Sequence, residues 1–80
     1  MHLMQLTVYR WRIRELLADR SDGLTQSELA RRSSVPFQTI NRMAAADVER
    51  HPQRIDLETL DALASALGVS VADLFTREPD

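Results

Sequence analysis

The sequence predicts an all-α domain in which five helices with short connections enclose one small core. Three observations carry that expectation. Glycine and proline are scarce, two and three in 80 residues. Apolar residues recur at three- and four-residue steps along several stretches, the spacing of one helical face. Most candidate helices also carry their own start or stop signal, a capping hydroxyl or carboxylate, a proline or a closing glycine.

Residues 3–9 read either as a short strand or as an unstructured lead-in. From Thr7 a first helix is predicted, with Tyr9, Ile13, Leu16 and Leu17 at helical spacing and Trp11 beside them. Ser21, Asp22 and Gly23 stop it near Arg20. Thr25-Gln26-Ser27-Glu28 has the form of a capping box, hydroxyl and carboxylate each satisfying an orphan amide. It opens a second helix with Leu29 and Ala30 inward and Arg31 and Arg32 outward. After a break at Ser33-Ser34-Val35, Pro36 opens a third helix over 36–45, since its missing N–H is not needed in a first turn. Residues 46–55 form a polar loop in which His51, next to Pro52, is expected to be exposed. Asp56 caps a fourth helix with an apolar stripe of Leu57, Leu60, Leu63, Ala64 and Leu67, and Gly68 ends it. Ser70-Val71-Ala72-Asp73 starts a last short helix carrying Leu74 and Phe75, after which residues 76–80 are expected to fray. The organisation is thus a lead-in or dimerisation strand at 1–7, one domain at 8–76 and a tail at 77–80.

Composition excludes several classes of function. There is no cysteine, so disulfides, thiolate metal sites and cysteine nucleophiles are absent together. The two histidines, His2 and His51, are too far apart in sequence for a local metal motif, and no serine has a plausible His–Asp relay. No apolar run approaches the ~18 residues of a membrane span, and no secretion signal is visible. The expectation is a cytoplasmic protein without catalysis, metal or other cofactor.

Charge is unevenly distributed. All ten basic residues are arginine, and the formal net charge is −2. Residues 1–46 hold seven arginines against four acids, whereas residues 47–80 hold three against eight. A chain that is acidic overall can therefore present a basic face, because the field within about 8–10 Å is set by local charges.

Two short helices joined by a tight turn, with the small Ala30 at their crossing and Val35 and Ile40 beneath it, meet the geometry of a helix-turn-helix. Phe37, Gln38, Asn41 and Arg42 then share the outward face of the third helix. Gln and Asn pair bidentately with adenine, Arg with guanine, and an apolar side chain meets a thymine methyl. Such a face has the chemistry to read a major groove.

The run LTQSELARRSSVPFQTINRM resembles the helix-turn-helix of the Cro and phage-repressor (Xre-type) family, through Leu24, Thr25, Gln26, Leu29, Ala30, Val35, Thr39, Ile40 and Arg42. RIDLETLDALASALGVSVADLF is similar to that family's fourth and fifth helices, so the likeness covers about Tyr9 to Phe75. It implies a compact five-helix, lambda-repressor-like domain and a small stand-alone transcriptional regulator, a homodimer on a double-stranded DNA operator. It implies that Gln26 contacts backbone phosphate, that Phe37, Gln38, Asn41 and Arg42 face base edges or nearby phosphates, and that Thr39 lies on the backbone side of the groove. Arg14 and Arg32 are further candidates for DNA contact. Three positions depart from the pattern. Ser34 replaces the usual glycine at a turn position that often needs positive φ, at a cost of roughly 1 kcal/mol. Pro36 and Phe37 replace polar residues, which makes part of the reading face apolar.

Dimerisation is expected through Val71, Leu74 and Phe75, or through residues 1–8 pairing as strands across a two-fold axis. The acidic second half and the apolar Phe37 also suit a protein-interaction module on the same scaffold, such as an antitoxin or an adaptor with a protein partner.

Overall fold

The computed structural model describes residues 7–79, and its first element is a strand, one of the two readings open for residues 3–9, and not the helix expected from Thr7. β1 (Thr7–Trp11) is followed by α1 (Ile13–Ala18), α2 (Gln26–Ser33), α3 (Phe37–Met43), α4 (Leu57–Leu67) and β2 (Phe75–Pro79). Single 3-10 turns stand at Val48–Arg50 and Val71–Leu74. Among the described residues the fold is therefore four α-helices with a two-stranded sheet, and the all-α, five-helix expectation is corrected at both ends. The fifth helix is only the Val71–Leu74 turn, and the segment expected to fray is, through Pro79, a strand. Residues 1–6, where most of the lead-in or dimerisation strand was expected, lie outside the described residues together with His2.

The reason for the first correction lies in long-range pairing. β1 runs antiparallel to β2, with Thr7 opposite Pro79, Tyr9 opposite Arg77 and Trp11 opposite Phe75. Thr7, Val8, Tyr9 and Trp11 are β-branched or aromatic, types that suit a pleated ribbon. Tyr9 and Trp11 also alternate with period two, which puts both on the face that carries Phe75. Their rings meet that of Phe75 edge-on, at centroid separations of 5.6 Å and 5.5 Å.

Behind the ribbon sits one core. Ile13, Leu29, Ile40, Met43, Leu63 and Leu74 are fully buried, with Trp11, Leu24, Val35, Leu60 and Leu67 nearly so. α2 packs against both α3 and α4, and the 3-10 turn at Val71–Leu74 closes on α4. Leu74 is thus used within its own subunit and is not available to a dimer surface. The stripe on α4 is one residue shorter than expected. Leu57 is 77% exposed, because in the first turn it projects beyond the end of the core that Leu60, Leu63, Ala64 and Leu67 line.

The caps on α4 stand as the sequence indicates. Asp56 accepts from the Thr59 amide at 2.9 Å, and Gly68 closes the helix at φ 73°. Arg20 adds a cation there, its Nη1 donating to the Leu67 carbonyl at 2.7 Å, where the helix dipole favours positive charge. In the last turn the Asp73 carboxylate accepts from the amide and hydroxyl of Ser70, at 3.2 Å and 3.0 Å.

Candidate nucleic-acid interface

The interface is built on α2, the turn after it and α3. Thr25 starts α2 by accepting from the Glu28 amide at 3.1 Å. The reciprocal half of the expected capping box is not made. Glu28 instead receives Arg31 through a two-point contact and Arg32 through Nε at 3.1 Å. Hydrogen bonds from Arg31, and next from Arg32, hold the Glu28 carboxyl down at about 2. Both arginines are exposed, yet their charge is directed at this acid.

Ser34 closes α2 in the left-handed region at φ 62°, the conformation in which glycine is the easier residue. Its neighbour braces the bend. Ser33 Oγ donates to the Leu29 carbonyl at 2.7 Å and accepts from the Val35 amide at 3.2 Å. Pro36 then stands just before α3 with φ −55° and supplies the carbonyl that accepts from Thr39 and Ile40. The expected span of 36–45 contracts to Phe37–Met43, with Pro36 as its cap.

Within α3 the division of faces is clean. Ile40 and Met43 are fully buried, while Phe37, Gln38, Asn41 and Arg42 are exposed. Phe37 is 46% exposed, so an aromatic ring is presented to solvent beside three polar side chains. Asn41 Nδ2 donates to Gln26 Oε1 at 3.0 Å. That bond joins the start of α2 to the middle of α3 and sets the orientation of both amides, leaving the Gln26 Nε2 and Asn41 Oδ1 ends directed elsewhere. Thr39 is half-buried in a cleft lined also by Pro36, Arg54 and Thr59. Arg42 is exposed and forms no ion pair among the described residues. Matched to the entire stretch from Arg12 to the last residue is the model of the Cro/C1-type helix-turn-helix DNA-binding domain, residues 12–80.

The chain belongs to that family.

No curated protein and no solved structure shows significant similarity to it. The Cro/C1-type domain is a DNA-binding one. Of the eight site residues the sequence points to, the structure brings five onto one surface: Gln26 by its bond to Asn41, and Phe37, Gln38, Asn41 and Arg42 by their shared face. Thr39 borders that surface from the cleft. Arg32 lies at the far end of α2 from Gln26 and is tied to Glu28. Arg14 is exposed on α1, the helix that packs against α3. Its neighbours on β1 and α1 are engaged elsewhere, Arg10 with Glu15 at 2.9 Å and Arg12 with the Asp73 carbonyl at 3.0 Å. Arg54, a loop residue for which the sequence leaves backbone contact and a solvated role evenly balanced, lines the Thr39 cleft and is exposed. Only folding brings it beside α3.

The loop after α3 holds the largest departure from expectation. His51 is 5% exposed, not a solvent-facing loop residue. Its Nδ1 accepts from the Trp11 amide at 3.0 Å, and its Nε2 meets the Ala45 carbonyl at 2.7 Å. Since a carbonyl only accepts, the proton sits on Nε2 and the ring is the neutral tautomer. One imidazole therefore connects the end of β1 to the residues that follow α3. Among the described residues no cluster of acids and histidines forms a metal site, and no helix is long and apolar enough to cross a membrane.

Proposed function

We propose that this chain is a sequence-specific transcriptional regulator, a repressor that acts by occluding a promoter. α3 enters the major groove and α2 lies across the backbone, as in other helix-turn-helix readers. The observation that carries the reading is the exposed set Phe37, Gln38, Asn41 and Arg42, with Asn41 oriented by Gln26. Gln38 and Asn41 offer amides to adenine, Arg42 a fork to guanine, and Phe37 an apolar surface to a thymine methyl. Gln26, Thr39, Arg14 and Arg32 serve the phosphates, joined by Arg54. Such contacts position the protein without reading sequence.

One short helix reads too few base edges for genomic specificity, so the protein acts as a homodimer on a palindromic site in the cytoplasm. No catalysis and no cofactor enter this account. Selection of bound duplexes from a random pool tests it. The expected result is an inverted repeat with half-sites about 34 Å apart, bound with an affinity that falls steeply as salt rises. A pool that yields no enriched sequence at low ionic strength contradicts it and favours a protein partner for the exposed Phe37.

A further inference from the structure

The exposed face of α3 is polar except at its leading end. Phe37 is the first residue of the helix and Pro36 its cap, and both are exposed. Neither side chain holds a hydrogen-bonding atom. The hydrophobic core does not include Phe37, although Ile40 and Met43 on the other side of the same short helix are fully buried. Among the described residues its ring also stands apart from the aromatic cluster, in which Tyr9 and Trp11 meet Phe75 on the ribbon.

The backbone beneath that ring is held firmly. Ser33 braces the turn between the Leu29 carbonyl and the Val35 amide, and the pyrrolidine of Pro36 locks φ at −55°. The Pro36 carbonyl then accepts from the Thr39 and Ile40 amides, at 3.0 Å and 3.2 Å. Side chains of a helix lean towards its N-terminus, and the N-terminal residues of a recognition helix are those that meet base edges. One turn further on, Asn41 is oriented by Gln26 on the same side of α3. A polar reader and an apolar one therefore stand next to each other.

The major groove offers an apolar side chain one partner, the methyl group on C5 of a pyrimidine. A phenyl ring has no acceptor for the cytosine amino group and no donor for the oxygens of guanine or thymine. What it discriminates is the methyl group and not the base that bears it. Thymine carries that methyl, and 5-methylcytosine carries it on the same ring atom. We propose that Phe37 is a sensor of the pyrimidine C5-methyl group, so that methylation of a cytosine beneath it raises the affinity of the operator. The inference rests on the DNA reading above and adds to it a ligand class, duplex DNA methylated at cytosine C5.

Duplex pairs that differ by a single methyl group test it. In a duplex selected by the parent protein, each thymine is replaced in turn by deoxyuridine. At the position so located, a cytosine–guanine pair is then compared with a 5-methylcytosine–guanine pair. At one position in each half-site, the full chain binds the methylated member of both pairs about fourfold more tightly, the fold-change of burying one methyl group. Phe37→Ala removes both preferences, and Phe37→Leu, which keeps an apolar tip, restores them. Each ratio is taken within one variant, so a general loss of affinity does not imitate the result. A preference that survives Phe37→Ala unchanged overturns the proposal and leaves the DNA reading standing. So does a specifically bound duplex with no methyl-sensitive position. Failure of the parent to select any duplex removes the reading and the proposal together.

Discussion

Arg42 and Gln38 stand on the exposed face of α3. Both are exposed, and neither forms a hydrogen bond or ion pair with another side chain among the described residues. Arg42→Ala and Gln38→Ala each weaken binding to a selected duplex by about 1–3 kcal/mol and leave the melting temperature unchanged. A titration in which both variants bind as the parent does assigns the reading face wrongly. Ser34 is the opposite case, a residue whose role is conformational. At φ 62° it holds a backbone that a Cβ disfavours, so Ser34→Gly raises stability by up to about 1 kcal/mol, read from denaturant midpoints. A destabilised glycine variant means that the hydroxyl, not the backbone, governs the bend. Local chemistry of this kind was legible in the sequence. Thr25, Asp56 and Gly68 act as read because each signal spans four residues or fewer.

Elements of the fold were legible where their partners are near in sequence and obscure where they are not. α2, α3 and α4 lie within two or three residues of their expected bounds. β1 was legible only as one of two readings, because its partner is some 70 residues away and Tyr9 fits a helical spacing with Ile13 as well as a strand spacing with Trp11. The Gln26–Asn41 bond and the burial of His51 were hidden for the same reason: both are made by tertiary contacts, 15 and 40 residues apart. His51 ties β1 to the residues after α3, so its loss strands the Trp11 amide and the Ala45 carbonyl together. His51→Ala costs about 2–3 kcal/mol in chemical denaturation, where an exposed loop histidine costs about 0.5 kcal/mol or less. At the α2–α3 crossing, Ala30 is partly buried against the core. Ala30→Leu overpacks it by about 1–3 kcal/mol, and an unchanged melting temperature contradicts the close approach of the two helices.

Across the whole molecule, acid sensitivity follows from two carboxylates held by arginines. The Arg20 hydrogen bond keeps Asp22 at about 2, and Arg31 and Arg32 keep Glu28 at about 2. Both values lie below those of an unfolded chain, so the stabilisation is complete above about pH 5 and is lost as pH falls towards 2. Melting temperatures that stay flat from pH 7 to 5 and decline below it bear this out, whereas a protein that gains stability on acidification does not fit. The uneven charge, basic in residues 1–46 and acidic beyond, explains how a chain of net charge −2 meets a polyanion at one end. The central claim is that α3 reads the major groove, and methylation interference on a selected duplex tests it most directly. Guanine N7 lies in the major groove and adenine N3 in the minor. The account predicts that N7 methylation blocks binding in two clusters about one helical turn apart, with N3 methylation within those clusters tolerated. Interference confined to adenine N3, or none at either position, contradicts it.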